Sequence, residues 1–416
     1  MKGGKGREQT TSIFSTACGQ GDMTANTTSY EQADTEIRVS SVGNGQAFIL
    51  ACLQSHADTA RAVAGAFARI AEVLEERKLA IVQERLFGSL SVEAAVMKAR
   101  NTELRERGIR SDGPVTYVEG RPPWGEGFAG VIIRAVPADD AWTIFHNDVP
   151  CGRGWRGNGA TYLALQNISG RNDVQYGRES RRVQARRMIE RAERILRDNG
   201  TSYRNVVRTW FYLADILDWY AEFNKVRNEK YGEFGIMPGP GDKTLLLPAS
   251  TGIRGATPSG AAATADLLAV VENGGTRPEV KKMTNTAQLD AFRYGSAFSR
   301  GALVREAGLA MIQVSGTAAI DERGLSLYPG DIRSQIRCTL DKIEALLELE
   351  GAGLGDICAA TVYVKSPGDE QVFREITGDR GLEAFPAVCV VADVCREELL
   401  FEMDAEAVVN KERVRI

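Results

Sequence analysis

Along this chain, short runs in which apolar and polar residues alternate are separated by longer stretches with an apolar residue every three or four positions. The first pattern is that of a half-buried strand and the second that of an amphipathic helix. From Glu36 the order is two strands (Glu36–Val42, Gln46–Leu53), a helix (58–77), a strand (Leu79–Leu90), a helix (Ser91–Arg107) and two strands (Val115–Val118, Phe128–Val136). A second copy has strands Trp142–His146 and Ala160–Ile168, helix Glu179–Asp198, strand Asn205–Leu213 and helix Ile216–Tyr231, then strands Lys243–Thr251 and Ala262–Val271. The third copy runs through Leu309–Ile320, Asp331–Glu350, Asp356–Lys365, Asp369–Thr377, Phe385–Val394 and Glu398–Val409. An α+β unit of this order packs two helices on one face of a mixed sheet and leaves the other face to be covered. Residues 1–34, rich in Gly, Thr, Ser and Gln without periodicity, read as a flexible tail. The expected domains span 35–137 (divergent), 140–275 and 285–411, with linkers at Pro137–Asp140 and from Gly274–Pro278 into the polar run that follows.

With 416 residues, the chain has room for several buried cores. A net charge of −4 supplies no basic field for nucleic acid, and the arginine-rich stretch Arg178–Arg197 reads as a solvated helix face with interleaved Glu179, Glu190 and Glu193. The seven cysteines are scattered and lack CxxC spacing, which points to reduced thiols rather than a disulfide scaffold or zinc site. Only His56 and His146 are available for histidine metal chemistry, so no metal and no cofactor is expected. No apolar run has the length of a membrane span and the start lacks a signal-peptide pattern. A soluble, cytoplasmic protein without membrane partners is expected.

Candidate chemistry concentrates at the C-terminal end. In Leu399–Val408, Leu399, Phe401 and Met403 alternate with Leu400, Glu402 and Asp404, so Glu402 and Asp404 share one strand face. A carboxyl group in an apolar strand either has a partner or a raised pKa, and the latter suits a general acid. Tyr363 and Lys365 share a face of the middle strand in the third copy. Arg208 and Trp210 do so in the second, with Tyr212 two residues further on. A buried arginine there is an interface ion pair or a carboxylate clamp.

The segments R-T-W-F-Y (Arg208–Tyr212), P-A-S-T-G-I (Pro248–Ile253), V-Y-V-K (Val362–Lys365) and L-L-F-E (Leu399–Glu402) resemble the RidA (YjgF/UK114) superfamily, most closely its chorismatase-like branch. The resemblance covers roughly Ala160–Val409. It implies three tandem RidA-like (chorismate-mutase-like) domains in a pseudo-threefold arrangement with ligand clefts between neighbours. Two such domains behind a divergent N-terminal domain is the alternative. It further implies a monomeric pseudo-trimer or homo-oligomer acting on a small carboxylate. The implied activity is a hydrolase or lyase with Glu402 as acid, Lys365 and Arg208 holding carboxylates and Tyr363 orienting the ring. Tyr212, Ser315 and Gly316 of V-S-G-T, and Arg254 complete the implied ligand-binding set. Lys365 stands where the branch has Arg, which loses a bidentate fork. The arginine that clamps the substrate in imine-deaminating members is absent: Val388 and Ser250 occupy its places. A RidA-type imine or enamine enzyme with another clamp, and a non-catalytic binder, are the alternative functions.

Overall fold

The computed structural model describes residues 26–32, 35–43, 45–54, 59–171, 179–239, 245–275, 277–284, 291–306 and 308–410. In the first domain the elements are β1 (Asn26–Gln32), β2 (Thr35–Ser41), β3 (Ala47–Leu53), α1 (Thr59–Glu76), β4 (Leu79–Gly88), α2 (Glu93–Glu106), β5 (Thr116–Glu119) and β6 (Phe128–Pro137). The second contains β7 (Ala141–His146), β8 (Val149–Arg156), β9 (Ala160–Ser169), α3 (Arg181–Asp198), β10 (Val206–Leu213), α4 (Ile216–Glu233), β11 (Ala249–Arg254) and β12 (Ala263–Glu272). The third contains β13 (Glu279–Met283), β14 (Gly301–Glu306), β15 (Leu309–Ala318), α5 (Ile332–Glu348), β16 (Ile357–Val364), α6 (Asp369–Asp379), β17 (Ala387–Val391) and β18 (Phe401–Asn410).

All three six-stranded sheets have one topology: β1-β2-β3-β6-β4-β5, β7-β8-β9-β12-β10-β11 and β13-β14-β15-β18-β16-β17. Each is antiparallel except for its last pair (β4/β5, β10/β11, β16/β17), which is parallel and joined through a helix. Such a pair needs a crossover, and α2, α4 and α6 supply it. Each sheet thus opens with a three-stranded meander, where the sequence pattern gives two strands in the first two copies and one, Leu309–Ile320, in the third. Of the strands it misses, β1, β8 and β13 are polar or Gly-rich (N-T-T-S-Y-E-Q, V-P-C-G-R-G-W-R, E-V-K-K-M), which hides their alternation, and β14 (G-A-L-V-R-E) is short. Three expectations change. The tail expected over 1–34 gives way to strand β1 from Asn26, and the third sheet starts at Glu279 rather than 285. The strand expected from Lys243 begins at Ala249, and residues 240–244 lie outside the described residues. Among the described residues no helix is long and apolar enough to cross a membrane.

Side-chain alternation assigns each sheet two cores. On β10, Phe211 and Leu213 pack under α3 and α4, whereas Trp210 and Tyr212 enter a cluster that also takes Phe48 and Val118 from the first domain and Tyr363 and Val388 from the third. The inner faces of all three sheets therefore share one core. The contact is cyclic: β5 lies against β9, β11 against β15, and β17 against β3 and β6. Backbone bonds repeat the cycle. Glu119 N–H donates to Ala256 O (2.8 Å), Arg254 N–H to Asp393 O (3.0 Å) and Val391 N–H to Arg121 O (2.8 Å). By sheet register Glu119, Arg254 and Val391 hold equivalent places, so the three bonds form a pseudo-threefold ring.

This inner core is charged as well as apolar. Glu406 on β18 accepts from Arg85 (3.1 Å) and Gln313 (2.9 Å) and lies 4.0 Å from Arg134. Arg85 and Arg208 sandwich Trp210 at 4.2 and 4.4 Å from its ring centre. Removing one partner of a buried ion pair leaves the other uncompensated, at a cost of about 3–5 kcal/mol. Glu406→Ala should therefore lower unfolding stability by about that amount. In a urea double-mutant cycle with Arg85→Met, the two losses should be clearly less than additive. Additive losses would mean that Glu406 and Arg85 act independently.

Candidate active site

A cavity of about 550 Å³ opens between the second and third domains. One wall is α4, presenting Tyr220, Asn224 and Arg227, with Ser250 and Gly252 of β11 beside it. Facing them are Phe298 and Arg300, Gly316 at the end of β15, and Glu402 at the start of β18.

Glu402 lies directly opposite Tyr363 on β16 and Ala318 on β15, and is 5% exposed. The β15/β18 pairing bulges between Val314 and Thr317, which brings Gly316 over the Glu402 carboxyl group. A Cβ at 316 would collide with that group, so any larger residue there would push the Glu402 carboxyl out of its present place. Burial pushes the Glu402 carboxyl up to about 8, and the neighbouring Asp404 carboxylate adds to the rise. Arg208 and Arg300 oppose both without cancelling them. The group is thus a carboxylic acid near neutral pH, able to donate a proton.

Asp404, behind Glu402 on the same face, accepts from Thr251 (2.8 Å) and Tyr363 (3.4 Å) and lies 3.3 Å from the Arg208 guanidinium. Arg208 also donates to Thr251 (2.6 Å), and Thr251 receives Gly316 N–H (3.1 Å). Arg208 and Tyr363 are fully buried and do not line the cavity. They hold the carboxylate beside the acid. Tyr212 lies in the shared inner core, also away from the cavity lining. Lys365 binds Glu397 (2.7 Å to its carbonyl, 3.1 Å to its carboxylate) and approaches Asp393 (3.8 Å). Arg254 lies 3.6 Å from Glu119 and 3.9 Å from Asp393. The expected pairing of Lys365 with Arg208 across one cleft is therefore corrected: neither side chain lines this cavity, and each has its own protein partner. The V-S-G-T turn does not offer free donors either. Ser315 N–H binds Arg300 O (3.1 Å), its hydroxyl binds Ser299 O (2.6 Å), and Gly316 N–H is taken by Thr251.

Sequence reasoning missed Tyr220, Asn224, Arg227, Phe298 and Arg300. The α4 residues carry a signal in hindsight, since Asn224 and Arg227 interrupt the apolar face made by Phe223 and Val226. Residues 291–300 lie outside any strong periodicity. Cys395 borders the cavity, but burial pushes its thiol up to about 12, which removes the thiolate needed for nucleophilic attack. No cluster of His, Cys, Asp and Glu among the described residues is arranged to hold a metal ion.

The position of Glu402 is not repeated. Opposite Tyr212, the counterpart of Tyr363, β12 carries Thr264; opposite Phe87, β6 carries Gly130. A Cβ at 130 would collide with the backbone oxygen of Ala51 and press on Val388 at 3.1 Å, so no side chain fits there. Of the three equivalent places, one holds an acid.

Fold and site together define an α+β pseudo-trimer with a buried acid in one interdomain cleft. The family model described as Endoribonuclease L-PSP matches residues 296–409. A RutC family protein from Pyrococcus abyssi is 34% identical over 97 residues, 23% of this chain and 76% of that protein. A chorismatase from Streptomyces hygroscopicus is 28% identical over 226 residues, 49% of this chain and 61% of that one. The 1.08 Å crystal structure of a chorismatase aligns over 79% of this chain and 93% of its own with a TM-score of 0.57 and 19% identity, a likeness of fold. The chain belongs to the RidA (YjgF/UK114) superfamily, close to its chorismatase branch.

The Glu402 shift has a consequence for stability. Its pKa rises from an ordinary 4.5 in the unfolded chain to about 8 in the folded one. Between those values the native state holds a proton that the unfolded state has released, so this group's contribution makes stability fall as pH rises through the window. Glu402→Gln removes the dependence. Its melting temperature relative to wild type should rise between pH 5 and pH 9. A pH-independent difference would show that Glu402 is not desolvated in the folded state.

Proposed function

We propose that this protein is a chorismatase-like hydrolase or lyase that uses Glu402 as general acid on a small, cyclic, carboxylated metabolite. The observation that carries the reading is the Glu402 carboxyl buried in an interdomain cavity whose walls are cationic and aromatic, where burial and the neighbouring Asp404 favour its protonated form. The sequence likeness to a chorismatase supports the same class.

The reaction that fits is cleavage of an enolpyruvyl ether such as that of chorismate. Glu402 donates its proton to the terminal methylene carbon, the double bond supplies the electron pair, and an oxocarbenium centre forms at the ether carbon. Water adds there and returns a proton to the Glu402 carboxylate. The resulting hemiketal breaks its bond to the ring oxygen, which takes the hydroxyl proton as pyruvate leaves. The net change is addition of one water. Asp404, fixed by Arg208, Thr251 and Tyr363, places negative charge near the developing cation and keeps Glu402 protonated.

Purified protein given chorismate should release pyruvate, read with a lactate dehydrogenase coupled assay. Glu402→Gln should lower the rate on the order of 10²–10⁴-fold without unfolding the protein. The wild-type rate should decline as pH rises through about 8, as the acid form is lost. Absence of pyruvate from a folded sample, or full activity in the Gln variant, would reject this function.

A further inference from the structure

The first and second domains enclose a smaller cavity of about 280 Å³, lined from α2 by Glu93, Met97, Arg100 and Asn101. In the cavity between the second and third domains, α4 contributes Tyr220, Asn224, Arg227 and Asn228, with the same intervals along the helix. The two cavities are thus one place in the repeat seen twice, and Arg100 corresponds to Arg227.

The two arginines differ in what they face. Arg100, 2% exposed, makes a two-pronged pair with Glu84 on β4 (Nε 2.8 Å, Nη2 2.6 Å). Each middle strand bulges against the last strand, between Ile81 and Gln83 in β4 and between Val206 and Arg208 in β10. Counted from the bulge, the residue in the place of Glu84 is Thr209, a neutral side chain that donates to Ser250 (2.9 Å). Arg227 is 1% exposed and donates to Asn224 (2.6 Å), while its Nε–H has no hydrogen-bond partner. Among the described residues no carboxylate pairs with it. Around it stand the rings of Phe211, Phe223 and Phe298, at 5.6–5.9 Å. A buried guanidinium with no counter-charge is costly, and the cost is relieved when an anion enters beside it.

We infer that Arg227 anchors a carboxylate of the ligand, which takes the place that Glu84 fills in the neighbouring cleft. This rests on the reading of the same cavity as the substrate site. An arginine fork suits a planar carboxylate, and Tyr220 and Phe298 suit an attached ring. The site therefore takes cyclic monocarboxylates or dicarboxylates and discriminates against their uncharged amides, because an amide leaves the buried charge uncompensated. The neighbouring cleft, neutralised internally, has no such demand.

The test uses benzoate and benzamide as probes, titrated by calorimetry into the full chain. Wild type should bind benzoate, and benzamide at least tenfold more weakly. Arg227→Gln should weaken benzoate at least tenfold and raise the melting temperature of the ligand-free protein. Arg100→Gln, which strands Glu84, should lower it. Thr209→Glu, which installs the internal partner, should abolish benzoate binding. No benzoate binding by wild type, equal binding of benzamide, or wild-type benzoate affinity in Arg227→Gln would overturn the inference. If Arg227→Gln does not fold, unchanged benzoate affinity in Thr209→Glu does so. Binding needs no turnover: a protein inert to chorismate whose benzoate affinity depends on Arg227 keeps this inference and loses the chorismatase reading, and the reverse result separates them the other way.

Discussion

Each sheet of this protein has two faces, and its own helices cover one of them. The other face must be buried against something, and the chain solves this by presenting the three uncovered faces to one another. Everything else follows from that constraint. The ring of backbone bonds from Glu119, Arg254 and Val391 fixes how the sheets meet. The clefts lie where one domain's parallel edge strand and crossover helix meet the next domain's meander, as β11 and α4 meet β15. Fully enclosed charges on the inner faces, Arg85 with Glu406 and Arg208 with Asp404, meet in pairs because water is excluded there.

Repetition places the same interdomain seam three times, and side-chain chemistry sets what each seam can hold. Thr264 and Gly130 stand where the third domain has Glu402, and Val388, beside Gly130, holds the place that Thr251 has beside Glu402. Within RidA-type clefts built on one backbone, function is then a matter of a few substitutions on equivalent positions. A homotrimer of identical units would carry identical clefts. Fusing three copies lets one cleft keep an acid while the others are packed or neutralised, which spares the fold the cost of repeated buried charges.

Element order, most strand and helix positions, and the acid were legible in the sequence. Those segments have strong periodicity, and Glu402 stands out as a carboxyl group in an apolar strand. Four meander strands, β1, β8, β13 and β14, were not: β1, β8 and β13 are edge or near-edge strands whose polar or glycine-rich sequences weaken the alternation, and β14 is only six residues long. For Arg208 the sequence leaves two readings open, an interface ion pair or a carboxylate clamp. The structure has the ion pair, with Arg208 facing its counter-charge across the domain interface, on β18 of the third domain. Which charge a buried side chain meets is a property of the packed trimeric core, and local pattern carries no record of it.

Exclusion of water is the common origin of the acid and of the cationic walls. Burial raises Glu402 toward neutrality by disfavouring its charge, while Asp404 one step behind stays fixed among Arg208, Thr251 and Tyr363. Two carboxyl groups on one strand face are thereby pushed into different roles by their surroundings: one is solvated by protein donors, the other faces an open cavity without them. The same low polarity makes Arg227 sensitive to whatever anion enters. A ligand that brings negative charge lowers the cost of that cation, and it also displaces water from beside Glu402. Both effects disfavour loss of the Glu402 proton, so entry of an anion and protonation of Glu402 reinforce each other.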